Sequence, residues 1–226
     1  MSSVDLLRRS SYSYELPERL IAQTPSERRD MCRLMTVDRT TGQVGHALFR
    51  DIADLLHPGD CLVLNDTKVI PARIFGTSAG HAGAVETVLL RRAEGEGELW
   101  ECLTRPGKKT RPGAVVAYPG GVTGHVTGVL EGGVRLIRFD YKGNFMEKLD
   151  EIGIMPLPPY ITTRLEDNSS YQTVYARYAG SAAAPTAGLH FTDELLARIA
   201  DKGVDIARVL LHVGIGTFRP VKEDDL

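Results

Sequence analysis

Two short stretches each set one histidine beside glycines at the edge of an apolar run. The first is Ala183-Ala184-Pro185-Thr186-Ala187-Gly188-Leu189-His190-Phe191, and the second is Leu211-His212-Val213-Gly214-Ile215-Gly216-Thr217-Phe218. Imidazole takes and gives protons near neutral pH, so His190 and His212 are candidates for proton transfer. In layered α/β folds ligands sit where strands give way to loops, and two such edges predict one site on which both histidines converge. A packing role that bonds a carbonyl accounts equally for His190 taken alone. The run Cys61-Leu62-Val63-Leu64 leads into Asn65-Asp66-Thr67-Lys68, which predicts four polar side chains at the C-terminal end of a buried strand. A turn in which Asn65 and Asp66 bond local N–H groups is the alternative. Gly214-Ile215-Gly216-Thr217 could cradle an anion or a nucleoside on backbone N–H groups, although no P-loop, G-x-G-x-x-G or G-x-S-x-G motif is present.

Other residues invite binding roles. Arg33 lies among apolar neighbours in a predicted strand, where a guanidinium asks for a buried anion. Met155-Pro156-Leu157-Pro158-Pro159-Tyr160-Ile161 must run extended, as a ligand wall or as a strap between two parts of the fold. Tyr160, Tyr171, Gln172 and Tyr175 could stack on or bond a flat heterocycle. The Gly/Pro loop at 104–113 carries Arg105, Lys108, Lys109 and Arg111, the best phosphate contacts in the chain. A metal site built on His190 and His212 lacks a third ligand at suitable spacing.

The elements that position these residues fall into two kinds. Residues 76–143 hold most of the glycines, and β-rich runs at 85–92, 99–105, 114–118, 122–130 and 134–141 alternate with turn signals at 119–121 and 131–133. That pattern predicts a small antiparallel barrel. The flanks predict a short helix at 17–23, a hairpin of 33–37 with 44–48, a helix carrying Phe49, Ile52, Leu55 and Leu56, and helices at 145–152 and 195–200. Thr192 would cap the last of these and Gly203 would stop it, before a buried strand at 204–213. The fold class expected is mixed α/β, with a discontinuous core domain (1–72 and 144–226) and an inserted β-barrel domain (73–143).

Composition excludes several classes. Apolar residues make up 42% and charged residues 25% of the chain, as in ordinary globular proteins. Neither a leader nor a membrane span is legible, which leads to a cytoplasmic expectation. Cys32, Cys61 and Cys102 show no C-x-x-C spacing, so a disulfide framework is not expected. The net charge of −2 argues against a general nucleic-acid coat, yet 73–143 is net positive and 144–226 net negative, which points a polyanion to the barrel.

Taken together, the chain resembles the S-adenosylmethionine:tRNA ribosyltransferase-isomerases of queuosine synthesis. The resemblance rests on Tyr14-Glu15-Leu16-Pro17, Arg29-Asp30-Met31-Cys32-Arg33-Leu34, Asn65-Asp66-Thr67-Lys68-Val69-Ile70-Pro71-Ala72-Arg73, the proline run at 155–161, Tyr171-Gln172-Thr173-Val174-Tyr175 and the two histidine stretches, in family order. Cys32 stands where serine is common and Lys68 where arginine is common. The resemblance implies transfer and isomerisation of the ribosyl part of S-adenosylmethionine onto 7-aminomethyl-7-deazaguanine in tRNA, giving epoxyqueuosine, adenine and methionine. No cofactor or metal is implied, S-adenosylmethionine being the ribosyl donor. On this reading His190 and His212 move protons and Asp66 orients the amine or the ribose. Arg33 and Arg73 meet anionic groups, and Asn65, Thr67, Tyr160, Tyr171, Gln172, Thr186, Gly188, Gly214, Gly216 and Thr217 line the substrate site. Arg105, Lys108, Lys109 and Arg111 touch tRNA phosphates. Family members continue well past Leu226 into a His- and Glu-containing motif, which leaves two readings, a fragment or a natural truncation; this chain alone is expected to show little turnover and to self-associate, and the complete protein to be a monomer. Two other readings stay open: an inactive RNA- or nucleoside-binding fragment, and a metal-dependent hydrolase using both histidines.

Overall fold

The computed structural model describes residues 5–80, 82–158, 160–163, 167–214, 221 and 223–225. In place of the expected helix at 17–23, a single 3-10 turn forms at Glu18–Leu20, because the prolines at 17 and 25 leave too few residues for a ladder of i→i−4 bonds. The expected hairpin is present. Strands β1 (Arg33–Val37) and β2 (Val44–Leu48) pair antiparallel, and Gly42 supplies the turn's positive φ of 71°. Arg33 lies on the solvent face of this two-stranded ribbon, exposed, so its guanidinium needs no buried anion. A 3-10 turn, Phe49–Asp51, leads into the short helix α1 (Ile52–Leu55). Strands β3 (Cys61–Asn65) and β4 (Thr67–Val69) follow.

The barrel is closed and antiparallel. Strands β5 (Arg73–Ser78), β6 (Ala84–Arg92), β7 (Glu98–Arg105), β8 (Val115–Tyr118), β9 (Val122–Val129) and β10 (Arg135–Asp140) run around it in the order β10-β7-β6-β5-β8-β9. Five of these match the β-rich runs of the sequence; β5 lies outside them. Its buried positions alternate with exposed ones, and at Gly76 an added Cβ would stand 2.6 Å from the Ala117 carbonyl. Helix α2 (Phe145–Ile152), capped by the Asn144 side chain on the Met146 and Glu147 N–H groups, stoppers the barrel: its Phe145 and Leu149 belong to the barrel's buried cluster. The expected boundary at 143 therefore falls between the last barrel strand and the helix that closes it. The barrel hangs from a narrow neck. Arg73 and Ile154 exchange backbone hydrogen bonds of 3.2 and 2.8 Å, and Gly153 lies against the Pro71 carbonyl.

After the neck come β11 (Tyr178–Ser181), helix α3 (Asp193–Asp201) and β12 (Asp205–Val209). Helix α3 is built as its sequence suggests. The Thr192 hydroxyl accepts from the Leu195 N–H at 3.1 Å, Gly203 has φ 88°, and Leu195, Leu196 and Ile199 pack with Phe49, Ala53, Leu64 and Phe191. Strand β12 pairs parallel with β3, and β11 pairs parallel with β4. Residues 61–69 thus form one extended run that changes partner at Asp66, whose N–H donates to the Val209 carbonyl and whose carbonyl accepts from Arg177 and Tyr178. The Asn65–Lys68 cluster therefore sits inside a strand run and not at its end. Two further expectations need correction. Only one face of β3 is covered, since Val63 is 58% exposed, and β12 stops at Val209 with most of its residues exposed. Among the described residues no helix is long and apolar enough to cross a membrane.

The neck yields a stability prediction. A Cβ at Gly153 would stand 2.0 Å from the Pro71 carbonyl oxygen, whereas one at Gly214 would meet nothing within 4 Å. Gly153→Ala should lower unfolding free energy by about 3 kcal/mol and Gly214→Ala by less than about 0.5 kcal/mol, read from urea midpoints at unchanged slope.

Candidate active site

The change of partner at Asp66 prepares the main site. Beside it, β11 carries an irregularity between Ala179 and Ser181; the residue between them is Gly180, with φ 149°. A Cβ there would sit 2.8–3.2 Å from three atoms of the His212 ring, so the imidazole lies flat on a position that only glycine leaves open. Its Nδ1 is 2.8 Å from the Thr67 Oγ1, which leaves Nε2 as the nitrogen available to a ligand. Side chains hold the backbone on either side. The Asn65 amide donates to the Leu211 carbonyl (2.8 Å) and accepts from its N–H (3.0 Å), and the Ser181 hydroxyl accepts from the Val213 N–H at 2.9 Å.

His212, Val213 and Gly214 form one wall of a cavity of about 920 Å³ at the seam between barrel and core. The opposite wall comes from β6 and β7. A register shift between Leu89 and Arg91 puts the consecutive residues Arg91 and Arg92 on the same cavity, the re-aiming that a β-bulge permits. Arg91 pairs with Glu101 at 2.7 Å and Arg92 with Glu98 at 3.3 Å. The Glu98 carboxylate also accepts from the Trp100 indole N–H (2.7 Å) and from the Tyr141 hydroxyl (3.2 Å). Burial, and then the Glu98 carboxylate, raise the pKa of Tyr141. These groups make a charged, ordered wall facing one imidazole.

His190 lies elsewhere. It ends the 3-10 turn Thr186–His190, with its ring 5.1 Å from that of Phe49, and lines a smaller slot of about 300 Å³ with Tyr160, Tyr171 and Thr186. Tyr171 is buried, with its hydroxyl beside the Ala184 backbone. Burial raises its pKa, and the nearby Ala184 backbone opposes the rise.

The family model for the queuosine biosynthesis protein matches residues 9–226. The chain belongs to this family. It is 56% identical over 218 residues to the S-adenosylmethionine:tRNA ribosyltransferase-isomerase of Acetivibrio thermocellus, covering 96% of this chain and 63% of that protein. The enzyme of the same name from Clostridioides difficile is 52% identical, with 97% and 64% covered. A crystal structure of an S-adenosylmethionine tRNA ribosyltransferase from Thermotoga maritima is 36% identical at a TM-score of 0.36, over 88% of this chain and 57% of that one. The chain thus spans less than two thirds of the length of these relatives.

Within this queuosine-family chain the expected site residues divide. His212 and Gly214 line the seam; Ile215, Gly216 and Thr217 lie outside the described residues. His190, Tyr160, Tyr171 and Thr186 line the slot, so the two histidines do not share a cavity: His212 is drawn to the Gly180 bulge, whereas His190 packs on Phe49. Asn65, Thr67 and Gln172 are clamps and not lining groups. The Gln172 amide accepts from the Val69 N–H at 3.0 Å and donates to its carbonyl at 2.7 Å, as a neighbouring strand would. Asp66, 4% exposed, lines neither cavity and keeps one carboxylate oxygen unbonded. Gly188 is small because the Tyr175 hydroxyl occupies the place of its Cβ, and Arg73 pairs with Glu86 at 2.5 Å. In the barrel loop Lys109 donates to the Ala82 and Gly83 carbonyls and is structural, whereas Arg105, Lys108 and Arg111 are exposed. Among the described residues no three His, Cys, Asp or Glu side chains group as metal ligands. Sequence reading missed Arg91, Arg92, Glu98 and Tyr141; the adjacent arginines in a β-run were the available signal.

Asn65→Ala should release the segment at 211–213. Loss of two backbone partners, at about 1 kcal/mol each, predicts exchange of the Leu211 amide faster by at least tenfold, measured by hydrogen-deuterium exchange NMR.

Proposed function

We propose that this chain carries S-adenosylmethionine:tRNA ribosyltransferase-isomerase chemistry in the cytoplasm. The ribosyl part of S-adenosylmethionine passes to 7-aminomethyl-7-deazaguanine in tRNA, giving epoxyqueuosine, adenine and methionine. The observation that carries this is His212, fixed by Thr67 over the Gly180 bulge with Nε2 left for a ligand in a seam cavity of about 920 Å³; the names of relatives 50–56% identical agree with it. The chemistry needs a base for the proton on carbon beside the sulfonium, an acid for departing adenine, and an oriented amine. His212 supplies the base, and the Arg91–Glu101 and Arg92–Glu98 pairs offer polar contacts to charged parts of the substrates. The scheme uses neither a metal nor a cofactor. The length of the relatives favours a second reading, in which this stretch binds substrate and turns over only when joined to the remaining third.

The assay follows methionine and adenine release from S-adenosylmethionine with tRNA bearing the precursor base, for this chain and for the chain extended by the C-terminal part of the Acetivibrio thermocellus relative. Turnover is expected in the extended form, with His212→Ala slowing it about 10²-fold or more. An extended form indifferent to His212→Ala would remove the histidine from the chemistry. The exposed loop cations give a separate expectation. Arg105→Ala, Lys108→Ala and Arg111→Ala together should weaken tRNA binding and reduce its logarithmic salt slope by about 0.7–0.9 for each phosphate no longer neutralised. Lys109→Ala should instead loosen the loop and leave that slope unchanged.

A further inference from the structure

We infer that the β3–β12 sheet is a docking surface: the free edge of β12 takes a strand, and the bare face beside it takes cover, from the remaining third that the relatives carry outside the matched region. The sheet is incomplete by itself. It has two parallel strands, and parallel sheets occur almost only with both faces covered. One face meets that rule, since Leu64 belongs to the core on which α3 packs and Leu62 and Ile206 lie against it. The opposite face does not: Cys61, Val63, Ala207 and Val209 are all exposed there. Among the described residues no strand pairs with the second edge of β12. The Asp205 N–H donates to the Asp60 carbonyl and the Val209 carbonyl accepts from the Asp66 N–H, so the alternate residues Ile206 and Arg208 turn their backbone groups outward, as a template for pairing.

The occupant follows from length. The matches to the Acetivibrio thermocellus and Clostridioides difficile enzymes take in 96–97% of this chain and only 63–64% of theirs, so over a third of each relative stands outside the match and has this stretch as its neighbour. An apolar sheet face with an open edge is where such a length of chain gains most from burial. Exposed Met35, Val37 and Val44 on the β1–β2 ribbon need no partner, because an antiparallel pair tolerates a wet face. Past β12 the apolar run continues through Leu210 and Leu211, the latter 63% exposed, to His212, which is exposed as well. A segment seated on this strand therefore adjoins the candidate site.

The inference rests on the second reading above, in which this stretch turns over only when joined to the remaining third. Cys61 reports on the bare face without any substitution. Its alkylation by iodoacetamide, read peptide by peptide by mass spectrometry, is compared between this chain and the extended form. Extension is expected to slow it about tenfold or more. Val63→Asp is expected to leave the thermal midpoint of this chain within about 2 °C and to lower that of the extended form by about 4 °C or more. Should the extended form fail to fold, amide exchange at the positions of Ile206 and Arg208 is compared between this chain and the whole Acetivibrio thermocellus enzyme, where slowing of about tenfold or more is expected; equal exchange overturns the surface. Cys61 equally open in both forms, or Val63→Asp equally tolerated in both, overturns it too, as does protection of Cys61 that grows with the concentration of this chain alone, which assigns the face to a second copy. Cys61 protection in an extended form without turnover keeps the docking surface and removes the proposed function, and turnover with Cys61 open does the reverse.

Discussion

The structure depends on a strand run that changes partner. Residues 61–69 take β12 along the first half and β11 along the second, and Asp66 is the point of exchange, bonding Val209 through its N–H and Arg177 and Tyr178 through its carbonyl. A backbone group left unpaired in such a place costs about 1–3 kcal/mol, so the change needs local substitutes for missing strands. Asn65 supplies one to Leu211 and Gln172 another to Val69. In each case a primary amide presents a donor and an acceptor to one residue's backbone, as a neighbouring strand would. Asparagine and glutamine are the side chains able to do so.

That requirement explains why the polar cluster at 65–68 reads as a ligand site in sequence and functions mostly as architecture. Amide and hydroxyl side chains after an apolar run have the same signature whether they face a ligand or complete a ladder. Only the partner, more than a hundred residues away, decides. Thr67 bears on the site without lining it, for it is fully buried and its hydroxyl bonds the imidazole that faces the seam.

Legibility followed the range of the interactions. The hairpin at 33–48, most of the barrel, and the α3 cap and stop are written in local turn and cap chemistry, and they stood in the sequence with nearly the right bounds. Strand β5 escaped because Arg73–Ser78 follows the Pro71-Ala72 break without a turn signal before it, and its Gly76 is explained only by the Ala117 carbonyl across the ladder. The coverage of β3 and the extent of β12 escaped because periodicity reports apolarity and not what lies above it. The two cavities were out of reach for the same reason: each gathers side chains from segments far apart in the chain. Lys109 was misread because composition counts a cation without seeing the Ala82 and Gly83 carbonyls that hold it.

The barrel is more than an appended module. Its bulged β6–β7 edge supplies the charged wall of the seam, α2 adds Phe145 and Met146 to the same cavity, and Phe145 is at once part of the barrel's core. The other wall is the segment at 212–214, held by Asn65, Thr67 and Ser181. Two separately packed cores therefore define one cavity, and the neck at Arg73 and Ile154 fixes how they meet. The two backbone hydrogen bonds between Arg73 and Ile154, with Gly153 packed on the Pro71 carbonyl beside them, join the core that carries His212 to the barrel that carries Arg91 and Arg92.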